Sequence, residues 1–164
     1  MSRGQAKLLP IQTPRRLFYL NGIALSADDK TVFIADAFGL LVLDRHDASV
    51  RPLEPGPKMT LSGFDGLYTW KECLVGVQNS MGSPRVVVVR LNTTRTKAME
   101  LNVLEYRTEY TQLPTTGAMV GDSFYYITNS QIDHYQHGKV LHAETLTPIV
   151  VAKVGLVQPD SKPQ

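Results

Sequence analysis

Short apolar runs alternate with Gly, Pro, Asn and Asp along this chain, and no long amphipathic stretch of helical period interrupts them. The runs are rich in Val, Ile, Tyr and Phe, the composition of strands bounded by turns. Val86-Val87-Val88-Val89, flanked by Arg85 and Arg90, is the extreme case. A helix accommodates four β-branched residues poorly because each loses χ1 freedom against the preceding turn, whereas a strand covered on both faces takes them well.

The runs predict three similar units. The first has strands at Gly22–Ser26, Thr31–Asp36, Leu40–Asp44 and Val50–Leu53, with Asp28-Asp29-Lys30 as its first turn. The second has Leu67–Thr69, Leu74–Gln78, Val86–Leu91 and Ala98–Val103. The third has Ala118–Val120, Ser123–Thr128, Val140–His142 and Ile149–Val154, with Gly121-Asp122 as a hairpin turn that favours positive φ. Gly22, Gly66 and Gly117 lead the units, about 44 and about 51 positions apart, near the spacing of about 40–50 residues in propeller blades. The expected fold is all-β: a β-propeller segment over residues 1–157, with about three four-stranded antiparallel blades near 17–54, 63–105 and 114–155. Residues up to about 20 read as an outer strand of a preceding blade, and the polar tail 158–164 as frayed.

Composition narrows the function classes. A hydrophobic content of 43% belongs to a globular chain. A net charge of +2 with no dense basic block gives no footprint for nucleic acid. No segment approaches the run of about 20 apolar residues that a membrane helix needs, and the first ten residues lack the apolar core of a signal peptide. The sequence therefore reads as soluble, with the native compartment left open. Cys73, the single cysteine, sits in an apolar run and reads as a buried structural thiol. No phosphate-binding glycine loop and no serine nucleophile elbow occurs, so no organic cofactor is expected.

The candidate chemistry lies at the heads of the units. Asn21-Gly22 opens the first and Asp65-Gly66 the second. Inner strands of a propeller run along the central channel, so residues at the same end of successive inner strands converge on the axis. An amide oxygen and a carboxylate are the donors a hard cation such as calcium takes. The same dipeptides are also ordinary turn formers, and that reading stands beside the first. Asp36, Asn79 and Asn129 end the second strands of the three units, where they line the funnel or cap the turn. His134 stands with Asp133 and His137 in a loop after the third unit's second strand.

The stretch Asn21-Gly22-Ile23-Ala24-Leu25-Ser26-Ala27-Asp28-Asp29-Lys30 through Asp36, with Asp65-Gly66 and Gln78-Asn79-Ser80, resembles the senescence-marker-protein, gluconolactonase and luciferin-regenerating-enzyme family. The resemblance covers roughly Leu17 to Val154 and implies a six-bladed ring with a divalent metal, often calcium, on its axis. Many members hydrolyse lactones or related esters. It places metal ligands at Asn21 and Asp65 and makes His134 the candidate general base. The family's axial glutamate from an early blade has no counterpart here.

Six blades of about 45 residues need roughly 250–300 residues, so ring closure calls for the remaining blades of a longer chain or for self-association. The resulting expectation is a segment of a metal-dependent lactone or ester hydrolase, inactive alone. The alternative is a non-catalytic propeller that binds a ligand or a protein.

Overall fold

A computed structural model describes residues 10–80, 82 and 84–156. Its architecture is all-β with almost no helix. The first sheet is an antiparallel meander of β1 (Ile23–Leu25), β2 (Thr31–Asp36), β3 (Gly39–Asp44) and β4 (Val50–Pro52). The second has the same order in β5 (Phe64–Trp70), β6 (Cys73–Gln78), β7 (Arg85–Leu91) and β8 (Ala98–Tyr106). The third contains β9 (Gly117–Val120), β10 (Ser123–Ile127) and β13 (Val151–Gly155), with β10 in the middle. A small hairpin, β11 (Tyr135–Gln136) with β12 (Lys139–Val140), lies between β10 and β13 and is flanked by 3-10 turns at Ile132–His134 and Ala143–Thr145.

The strand pattern of the first two units agrees closely with the sequence reading, and the third departs from it. The expected strand at Val140–His142 is not part of the third sheet: Lys139 and Val140 pair with Gln136 and Tyr135 in the separate hairpin. The third sheet has three strands among the described residues, not four. The expected frayed tail lies outside the described residues. The segment entering the first sheet is tied to that sheet: Gln12 makes a parallel bridge to Ser49, and the Phe18 N–H donates to Asp36.

The second sheet is covered on both faces, which accounts for its four valines. Leu74, Val87 and Val89 pack with Phe33, Ala35, Leu40 and Val42 of the first sheet. The intervening Val75, Val77, Val86 and Val88 pack with Phe124 and Tyr126 of the third. Alternate residues of a strand point to opposite faces, so one apolar run supplies two cores. Full burial of each such side chain stabilises by about 1.5–3 kcal/mol. Cys73 belongs to the second core, and burial pushes its thiol above the ordinary range.

The innermost strands lie side by side, with β5 in contact with both β1 and β9. Thr69 Oγ1 donates to the Leu25 carbonyl at 2.7 Å. Tyr68 bridges to the third unit: its hydroxyl lies 2.8 Å from Thr116 Oγ1 and accepts the Gly117 N–H at 2.8 Å. Its ring sits 5.1 Å from that of Phe124. At the other end of the strands, Arg95 joins the first two sheets by reaching both Asp28 oxygens at 3.0 Å. The Ser26 hydroxyl and then Arg95 hold the Asp28 carboxyl well below its usual range.

Candidate functional site

Asn21 and Asp65 meet although they are 44 residues apart. Asn21 Nδ2 donates to Asp65 Oδ1. The contact follows from the side-by-side packing of β1 and β5, which Gly22 permits. A Cβ on Gly22 would stand 2.7 Å from the Asp65 carbonyl oxygen and 2.8 Å from Leu67 N. A Cβ on Gly66 would stand 2.7 Å from the Thr115 carbonyl oxygen. Neither glycine has positive φ. Their role is close approach of neighbouring backbones, not the left-handed turn conformation that Asn-Gly and Asp-Gly also suggest.

Each oxygen of the Asp65 carboxylate accepts from an amide. Oδ1 takes Asn21 Nδ2, and Oδ2 takes Asn79 Nδ2 at 2.8 Å. Asn79 comes from the end of β6 and also donates to the Pro114 carbonyl at 2.7 Å, while its own Oδ1 accepts from Ser80 Oγ at 2.9 Å. Among the described residues Asp65 has no ion-pair partner. The Asn21 amide oxygen takes part in no hydrogen bond there. The site is therefore an unneutralised carboxylate beside an uncommitted amide oxygen, a hard-donor set suited to a divalent cation. It is a partial set: no group of three or more His, Cys, Asp or Glu residues placed to hold a metal exists among the described residues.

The third unit enters this row one residue earlier than its glycine suggests. In the first unit the Asn21 N–H donates to the Ala35 carbonyl and the Ala35 N–H to that of Gly22. The same pattern recurs with Thr115, Ile127 and Thr116, so Thr115 holds the place of Asn21 and Thr116 that of Gly22. The leading glycine of the third unit, Gly117, is thus out of register by one. No sequence signal distinguishes Thr115 from Thr116; the ladder does.

The three residues that end the second strands differ in their partners. Buried Asp36 takes the Arg15 guanidinium and the N–H groups of Phe18 and Phe38. Burial alone would push its carboxyl up, but these donors outweigh it, and the net shift is downward. Asn129 ties the insertion back to the sheet through Thr147 Oγ1, the Pro148 carbonyl and the Val150 N–H. Asn79, alone of the three, reaches an inner-strand carboxylate.

His134 lies elsewhere in the local scaffold, in the 3-10 turn of the insertion. It lines a cavity of about 310 Å³ with Gln112, Asn129, Gln131, Asp133 and Thr147. Its Nδ1 is 3.1 Å from the Leu141 carbonyl. No hydrogen bond joins it to Asn21, Asp65 or Asn79 among the described residues. The insertion leaves β10 at the strand end that pairs with Gly117, so it emerges at the same end of the inner strands as the Asn21–Asp65 pair.

No protein-family model and no curated protein matches the chain. A solved structure of a luciferin-regenerating enzyme, a propeller-type fold, is similar to it with a TM-score of 0.51 and 20% sequence identity. The match covers 85% of this chain and 45% of that one, so this chain spans less than half of the propeller it resembles. Among the described residues, no helix is long and apolar enough to cross a membrane. The likeness establishes a propeller-like arrangement of these sheets, in which the described residues form no closed ring.

Proposed function

We propose that this chain is part of a propeller hydrolase that opens lactones or small esters with the help of a divalent cation held at Asn21 and Asp65. The carrying observation is that these two residues, 44 apart, meet at one end of adjacent inner strands, with no ion-pair partner for the carboxylate among the described residues. All-oxygen donors favour calcium. When bound, such a cation polarises a carbonyl and stabilises the charge that develops on it. Asn21 and Asp65 hold the cation, Asn79 braces Asp65, and His134 of the insertion is the residue available to take a proton from water.

The ring is completed by further blades of a longer parent or by a second copy. Two open sheet faces support this. Ile23 and Leu25 are exposed on the first sheet, and Val120 and Val151 on the third. With part of the donor shell supplied from elsewhere, the chain by itself binds cation weakly and turns over little or no lactone. The test is a calcium or manganese titration of the intact propeller followed by lactone hydrolysis. Asp65→Ala abolishes both if the reading holds, and unchanged binding and turnover would sink it.

One observation favours a second reading, a non-catalytic module that binds a ligand or protein on the same face. His134 is anchored to Leu141 within its own insertion and shares no hydrogen bond with the Asn21–Asp65 pair. Cation binding without hydrolysis of any lactone or ester by the intact ring would select that reading.

A further inference from the structure

We infer that Asn79 is the positioning residue of the cation site: it fixes Oδ2 of Asp65 so that Oδ1 can be exchanged between the Asn21 amide and a divalent cation. The inference rests on the cation reading above and concerns how this chain's own residues prepare for it.

The two bonds to the Asp65 carboxylate differ in kind. Asn79 is pinned at both its backbone and its side chain: its N–H donates to the Gly63 carbonyl at 3.1 Å. Its Nδ2 carries two protons, and the structure uses both, one on Asp65 Oδ2 at 2.8 Å and one on the Pro114 carbonyl at 2.7 Å. Its Oδ1 is occupied by the Ser80 hydroxyl. An amide whose two N–H protons and oxygen all have partners has one orientation, and so has the carboxylate oxygen it holds. Asn21 is exposed, and among the described residues its oxygen has no hydrogen-bond partner. Turning the Asn21 amide by half a turn exchanges the N–H on Asp65 Oδ1 for an oxygen beside it, giving two oxygens that face one cation. Outer donors that orient a ligating carboxylate typically govern metal affinity by 10–100-fold.

The corresponding residue of the third unit provides the control. Asn129 makes the same number of side-chain bonds but touches no inner-strand carboxylate. A merely structural asparagine at position 79 would behave as Asn129 does.

The experiment is a manganese titration of the 15N-labelled intact propeller, read by paramagnetic broadening of backbone and side-chain amide signals. Wild type is compared with Asn79→Ala, Asn129→Ala and Asp65→Ala. The expected result is an affinity at least about tenfold weaker in Asn79→Ala and within about twofold of wild type in Asn129→Ala, with both variants losing thermal stability. An Asn79→Ala chain that binds as tightly as wild type, while Asp65→Ala loses binding, overturns the positioning role and leaves the cation reading standing. Wild type and Asp65→Ala responding alike overturns the cation reading, and the positioning role with it. If Asn79→Ala does not fold, wild type alone decides. Slowly exchanging Asn79 side-chain protons that broaden with manganese support the role; fast exchange or indifference to manganese refutes it.

Discussion

Gly22→Ala is the sharpest test of how these sheets are assembled. The new methyl group would sit 2.7 Å from the Asp65 carbonyl oxygen and 2.8 Å from both Cβ and N of Leu67. Carbon contacts settle at about 3.5–4.0 Å, so β5 would have to retreat by roughly 0.8 Å. Two of the three atoms are backbone, which cannot swing aside as a side chain does. Overpacking of this kind costs about 1–3 kcal/mol. Set against it is the smaller conformational entropy of the unfolded Ala chain, worth about 0.4–1 kcal/mol in favour of folding. The net loss is roughly 1.5 kcal/mol, a fall in melting temperature of roughly 3–6 °C for a domain of this size. Urea unfolding followed by circular dichroism and by the fluorescence of Trp70, the single tryptophan, reads it directly. Gly155→Ala is the control, since a Cβ there meets nothing within 4 Å and its φ is not positive. That change is expected to be neutral or slightly stabilising. A Gly22→Ala protein as stable as wild type, with an unchanged m-value, would refute the claim that β1 and β5 are in backbone contact, and with it the geometry that brings Asn21 to Asp65.

Two further outcomes follow from polar contacts that the fold creates. Asp36→Asn should destabilise at neutral pH and flatten the acid limb. Although burial raises the Asp36 carboxyl, Arg15 and two backbone N–H groups lower it on balance. Its contribution is therefore complete above the unfolded value of about 3.9 and is lost as pH falls through the lower folded value. Urea midpoints from pH 7 to pH 2 should show the gap between variant and wild type closing below about pH 4, and a gap constant with pH would contradict the assignment. Asp122→Ala should shift Trp70 emission, because the exposed Asp122 carboxylate accepts the indole Nε1–H at 2.8 Å at the edge of the core that Trp70 belongs to. Emission identical to wild type would place the indole elsewhere.

The strands were legible in sequence because their signals are local. Val86–Val89 names a doubly covered strand, and the structure sends alternate valines into two cores. Gly121-Asp122 names a tight hairpin, and Gly121 has φ of 56°. The pairing of Asn21 with Asp65 was legible as well, because the repeat placed both at the head of a unit. What failed depends on turns and contacts that strand composition does not encode. Val140 reads as a sheet strand by composition, yet Gly138, with φ of 80°, turns the chain back so that Val140 pairs with Tyr135. Asn79 was legible only as a residue that lines the funnel or caps the turn: nothing in the sequence says that its amide reaches a carboxylate 14 residues back and a carbonyl 35 residues ahead.

The register of the third unit carries the same lesson into function. Counting by glycines aligns Gly117 with Gly22 and Gly66, but the ladder aligns Thr116 with Gly22 and puts Thr115 in the row with Asn21. Gly117 is small for a different reason, since a Cβ there would meet the Tyr125 carbonyl and the Phe124 ring of its own hairpin. The row of leading residues, read from the ladder and from the packing of β1 on β5, is then Asn21, Asp65 and Thr115. Its one charge is Asp65, and a cation binds tightly only where several oxygens and enough negative charge surround it. In the cation reading proposed above, the remaining ligands come from whatever closes the ring. On that reading Asp65 would be held in place before they arrive by the Asn79 amide, which already fixes its Oδ2 at 2.8 Å.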